Sequence, residues 1–126
     1  MKGYFGQIEK DTLENDNFRK VLFTGPKSQL VLMSLKPGED IGLEDHDGHD
    51  QFFRFEAGEG EVLVGEDTYS VKDGDAVVVP DGEKHNVTNT SETEDLRFYT
   101  IYSPAEHKDG TIHKTKAEAL ASEEDH

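Results

Sequence analysis

The sequence predicts an all-β sandwich or barrel that carries one short carboxy-terminal helix. Three observations predict it. Short runs rich in β-branched and aromatic residues recur along the chain. Gly, Asp and Pro clusters separate them at fairly even intervals, as in sandwiches and barrels. The length of 126 residues suits a single domain with a core of its own.

The strand runs in order are 21–23, 29–35, 51–56, 61–64, 68–71, 76–79, 86–88 and 96–102. Gly25-Pro26 and Pro37-Gly38 bracket the second run. Gly58 to Gly60 ends the third, and Gly65-Glu66-Asp67 reads as a tight hairpin connection between the next two. Asp73-Gly74 and Pro80-Asp81-Gly82 flank the run 76–79. Near the end, Thr115 with Glu118 three residues on forms a capping-box pattern, and residues 116–121 are good helix formers. Residues 122–126 are expected to fray. The organisation expected is an amino-terminal arm with the first strands over 1–27, a barrel over 28–103 and a tail with the short helix over 104–126, all one domain.

Composition limits the partners. The formal net charge is −15, and a surface that negative repels nucleic-acid phosphates and anionic lipid. The expected partner is a small molecule, with neither nucleic acid nor membrane. Absence of cysteine excludes disulfides and thiolate zinc sites. The first residues lack the apolar run of a signal peptide, and no run reaches membrane-spanning length, so a soluble cytoplasmic protein is expected. The acid excess serves solubility or suits a saline interior; ten lysines against three arginines weigh slightly against the second.

Two segments carry candidate chemistry. One is Gly38 to Gly58, the other Gly74 to Asn89. In a strand, side chains two apart share a face, roughly 6.6 Å apart along it. Glu44 and His46 therefore point the same way, and Gln51, Phe53 and Phe55 share one face of their strand. A glutamine that begins an aromatic inner face needs a polar partner. His85 sits at a strand start after a rigid Pro-Gly turn, well placed to bind a metal. The other histidines, His49, His107, His113 and His126, read most simply as solvated, as do Asp45, Asp47 and Asp50.

These two segments resemble the two motifs of the cupin superfamily. The second motif is a glycine, five residues, Pro-x-Gly, two residues, His, three residues, Asn; Gly74, Pro80, Gly82, His85 and Asn89 fill every place. Gly38 and Gly58 frame the first motif, and His46 takes its second histidine place. Glu44 stands in the first histidine place and Gln51 in the usual glutamate place, so negative charge moves within the set. The resemblance implies a cupin-type double-stranded β-helix, or jelly-roll barrel. It also implies a site for one divalent transition metal, Mn, Fe, Ni, Co or Zn, held by Glu44, His46, Gln51 and His85. His49 is the alternative to Glu44 in that shell. If not a ligand, Glu44 or His49 would move a proton as the catalytic residue.

A longer resemblance is to small single-domain bacterial cupins described as mannose-6-phosphate isomerase-like. It rests on Asp50 to Arg54, Tyr99 to Pro104 and the tail histidines His107 and His113. It implies Lewis-acid isomerisation or tautomerisation of a small polar metabolite such as a sugar or sugar acid, with Tyr99, Tyr102 and Arg54 as candidate pocket liners, of which alternation along a strand lets only some face in. An iron-dependent dioxygenase and a non-catalytic small-molecule binding module are the alternatives. Barrels of this kind often pair, so a homodimer is expected, with residues 1–20 available to pack on the partner.

Overall fold

The computed structural model describes residues 1–45 and 48–122. Among the described residues nine strands form two sheets, and every strand run read from the sequence is present. They are β1 (Arg19–Thr24), β2 (Gln29–Leu35), β3 (Asp50–Ala57), β4 (Glu59–Val64), β5 (Asp67–Lys72), β6 (Ala76–Val79), β7 (His85–Asn89), β8 (Leu96–Ser103) and β9 (Ile112–His113). Two helices, α1 (Ile8–Glu14) and α2 (Lys116–Ser122), lie outside the sheets. The larger sheet has the order β6-β3-β8-β2-β1-β9 and the smaller β5-β4-β7. Isolated bridges Asp40↔Thr88 and Glu44↔His85 lay residues 40–44 along the open edge of β7. All strand pairs are antiparallel, and the architecture is a jelly roll.

Alternation along the strands sends one set of side chains between the sheets. Val31, Met33 and Leu35 of β2, Phe53 and Phe55 of β3, Leu96, Phe98 and Tyr102 of β8 meet Val62, Val71 and Val87 from the smaller sheet. Phe98 packs against Phe53 and Phe55 with ring centroids 5.9 and 5.2 Å apart. All three rings are fully buried, each stabilising the fold by about 1.5–3 kcal/mol. The same register decides which polar residues enter. Gln51 lies opposite Tyr102 and faces in, while Arg54 lies opposite Tyr99 on the outer face. Of the three candidate liners Tyr102 faces the interior, and Arg54 and Tyr99 do not.

The helix α1 was not legible in the sequence. It spans seven residues and Gln7 provides no side-chain cap, so alone it would be unstable. Tertiary contact holds it. Arg97 of β8 donates to the carbonyl oxygens of Leu13 and Asn15 at 2.6 and 2.9 Å and to Asp16 Oδ1 at 2.7 Å. These bonds satisfy carbonyls at the helix end and fasten it over the outer face of the larger sheet. The helix α2 begins as expected, with Thr115 Oγ1 accepting from the Glu118 amide at 3.2 Å. The chain end at 123–126, including His126, lies outside the described residues. Among the described residues no helix is long and apolar enough to cross a membrane.

Lys116 ties α2 to the barrel through Asp40, with Nζ 2.6 Å from Oδ1, and Asn86 Nδ2 donates to Asp40 Oδ2 at 2.9 Å. The Lys116 hydrogen bond first, and the Asn86 one second, hold the Asp40 carboxyl below the usual aspartate range. A lowered folded-state pKa favours the charged form in the folded chain. The stabilisation is therefore present above the unfolded value near 4 and is lost as pH falls through the folded one. The Asp40 side chain is 38% exposed, so solvent screens the pair and the effect is small. Urea midpoints of the native chain and of Asp40→Asn should differ at neutral pH and converge as pH falls below the unfolded aspartate value near 4. A constant difference would show that Asp40 does not carry this term.

Candidate functional site

The site is built where β7 starts. Residues 80–82 turn the chain, and the ring of His85 enters the barrel almost completely buried. Its Nδ1 lies 3.1 Å from the Glu83 carbonyl oxygen. A carbonyl only accepts, so in the neutral ring Nδ1 carries the proton and Nε2 keeps its lone pair. That Nε2 is buried and makes no hydrogen bond among the described residues.

Glu44 is delivered to the same place by backbone pairing. Its amide donates to the His85 carbonyl at 2.8 Å, and the His85 amide donates back at 3.0 Å. Residues paired in this way point their side chains to one face. Glu44 Oε2 lies 3.7 Å from His85 Nε2, and its side chain is only 18% exposed, while the neighbouring Leu43 is turned out at 62%. The carboxylate of Glu44 and Nε2 of the imidazole thus face one another across a short, largely buried gap.

Gln51 adds a third donor. Its Nε2 donates to Thr100 Oγ1 at 3.0 Å, the polar partner its position requires. Its Oε1 is buried without a hydrogen bond among the described residues. Phe53, two residues on along the same inner face, has its ring centroid 6.3 Å from that of His85. Tyr102, opposite Gln51, is buried, and its hydroxyl is pushed well above the usual phenol range by that burial and then by the nearby Glu44 charge. Glu44, Gln51 and Tyr102 therefore share one stretch of interior.

The expected ligand His46 lies outside the described residues, as does Asp47. Among the described residues no three His, Asp or Glu side chains gather closely enough to hold an ion on their own. The described part of the expected set consists of one imidazole, one carboxylate and one amide oxygen. Those donors suit a first-row divalent ion, and two buried donor atoms, His85 Nε2 and Gln51 Oε1, make no hydrogen bond among the described residues.

Three histidines expected to be solvated are engaged. His49 is buried, with Nδ1 3.3 Å from Glu106 Oε2 and its ring edge-on to Tyr102 at 5.3 Å. His107 Nε2 lies 3.4 Å from the Tyr102 hydroxyl. His113 lies between Arg19 at 3.4 Å and the Ser122 hydroxyl at 2.9 Å. Asp50 is also more than a solvated charge, because its carboxylate accepts from the Asp81 amide at 2.9 Å. The Asp81 carboxylate accepts in turn from the Gly48 amide at 2.7 Å. These two bonds brace the turn before His85 against the loop that enters β3. Asn89, the last residue of the second motif, is structural: Nδ2 donates to the carbonyls of Leu35 and Glu94 at 3.0 and 2.8 Å. Sequence spacing could not reveal the Glu106–His49 pair, because Glu106 belongs to a polar tail far along the chain.

Comparison with known proteins agrees with this architecture. The cupin domain family matches residues 31–102. The protein YrkC of Bacillus subtilis is 46% identical over 129 residues, covering 98% of this chain and 69% of that protein. The crystal structure of BH2720 from Bacillus halodurans superposes with a TM-score of 0.92 at 42% identity, covering 95% of each chain. An oxalate-binding protein of Thermotoga maritima is 33% identical over 101 residues, covering 80% of this chain and 79% of that protein. The matched span contains both glycine-framed motifs and the strands that carry them, and the chain belongs to the cupin family.

Proposed function

We propose that this cupin binds one divalent transition ion through His85, Glu44 and Gln51, with His46 as a further ligand. There it acts on a small polar metabolite such as a sugar acid or a related hydroxy- or keto-acid. The observation that carries the proposal is the place of His85 Nε2, turned away from Glu83 and facing the Glu44 carboxylate at 3.7 Å in a buried setting. A bound ion would supply Lewis-acid polarisation of a substrate carbonyl or carboxylate oxygen. The chain's residues do the rest. Phe53 and the aromatic core behind it exclude water. Tyr102 stays a neutral phenol, able to donate to an anionic ligand. His49 beside it, or Glu44 where it is not a ligand, would move the proton that isomerisation or tautomerisation requires.

The relative from Thermotoga that binds oxalate supports a small carboxylate as the ligand class. It also favours a second reading, in which the barrel binds such an acid without turning it over. Incubation of the metal-reconstituted protein with a panel of sugar acids and keto acids, followed by proton NMR, separates the readings. The proposal expects exchange of the carbon-bound proton with solvent deuterium, or isomerised product, without oxygen. Binding without exchange would establish the second reading. Turnover that stops in anaerobic buffer would point instead to a dioxygenase.

A further inference from the structure

The strongest feature that this reading leaves unused is a buried glutamine far from the motifs. Gln29, at the start of β2, is fully buried. Its amide makes four hydrogen bonds. Oε1 accepts from the Glu106 and His107 amides at 3.2 and 3.0 Å. Nε2 donates to the His107 carbonyl at 2.7 Å and to Thr24 Oγ1 at 2.9 Å. Three of the four partners are backbone atoms of the segment that follows β8. A buried amide is costly unless fully bonded. Here its bonds serve to fix one short stretch of tail across the end of the barrel.

That stretch presents two side chains to the interior described above. Glu106 Oε2 lies 3.3 Å from His49 Nδ1, and the two side chains are only 28% and 5% exposed. His107 reaches the Tyr102 hydroxyl from the same stretch. A carboxylate only accepts, so a neutral His49 held against Glu106 carries its proton on Nδ1. This is the arrangement that the Glu83 carbonyl imposes on His85, built a second time from a different part of the chain.

We propose that the segment around Glu106 is a fixed wall of the site. In it Glu106 is the positioning residue that sets the tautomer and orientation of His49, and Gln29 is the anchor that holds Glu106 there. The inference rests on the metal-binding reading for its purpose, since a carboxylate behind an imidazole is the arrangement that orients a histidine toward an ion or a substrate. Its test does not depend on that reading.

The test is two-bond nitrogen–proton correlation NMR on the full-length chain labelled with 15N-histidine, without added metal ion. It is run at about pH 9, where an ordinary imidazole near 6.5 is neutral. In the native chain the His49 ring is expected as a single tautomer protonated at Nδ1. In Glu106→Ala, a change at a partly exposed position, the same ring should shift to a mixture containing the form protonated at Nε2. Gln29→Ala, which does not touch His49, should produce the same mixture by releasing the segment. Should that variant not fold, Glu106→Ala decides alone. A His49 protonated at Nε2 in the native chain, or a tautomer unchanged in Glu106→Ala, overturns the proposal. Failure of the native chain to bind metal would sink the metal reading and leave this result standing.

Discussion

Replacing His85 with alanine is expected to lower affinity for a divalent transition ion by about 100-fold or more. Loss of a mere outer partner costs 10- to 100-fold, and His85 is here the donor itself. The reason is specific to this ring. Its Nδ1 is turned to the Glu83 carbonyl, which leaves Nε2 to face the Glu44 carboxylate. Glu44→Gln, which keeps the shape and removes the charge, should give a smaller loss. Calorimetric titration of chelator-treated protein with Zn2+ or Mn2+ measures both. Circular dichroism should show the variants folded, since the Phe53, Phe55 and Phe98 cluster is untouched. Affinity in His85→Ala equal to that of the native chain would place any ion elsewhere.

The second large effect concerns Gly58, the last glycine of the first motif. Its φ is +90°, and a Cβ built there would run into the carbonyl oxygen of Asp95, with the Leu96 Cα at 3.0 Å. Both obstacles are backbone at the start of β8 and cannot swing aside. Gly74 is the natural control: φ is +92°, but a Cβ there meets nothing within 4 Å. Gly74→Ala should therefore cost only backbone strain, about 1–3 kcal/mol. Gly58→Ala adds a steric clash and should cost about 3 kcal/mol or more. Urea unfolding with unchanged slope measures the difference. Equal losses at the two positions would show that the approach of Asp95 is relieved by a small movement of the loop.

These glycines also show why so much of the fold was legible. A motif glycine marks a backbone conformation, and the strand rhythm between such marks follows from burial of every second side chain. The hairpin at Gly65-Glu66, the strand bounds around it and the Thr115–Glu118 cap are all local, so a local reading finds them. What it missed is held from a distance. The helix α1 exists because Arg97 seizes its end, and β9 is two residues whose pairing with Arg19 and Lys20 leaves no periodic signal.

The same division runs through the site. The inward face of Gln51 and Phe53 follows from spacing along one strand, while Glu44 and His85 meet through direct backbone pairing. The engagement of His49 was not readable. Its partner, Glu106, sits in a segment whose position depends on Gln29, which looks from the sequence like an ordinary polar residue at a strand start. The outward facing of Arg54 and Tyr99 follows from register with Gln51 and Tyr102, which only the pairing of β3 with β8 reveals.

The buried donors around His85 are proposed to hold a metal ion. Elemental analysis of untagged protein, beside His85→Ala prepared in the same way, tests it most directly. About one equivalent of a transition metal per native chain is expected, and its loss in the variant. No metal in either protein, even after reconstitution with Mn2+, Fe2+, Co2+, Ni2+ and Zn2+ in turn, would contradict it. The Glu44–His85 contact would then be a polar pair inside a binding barrel.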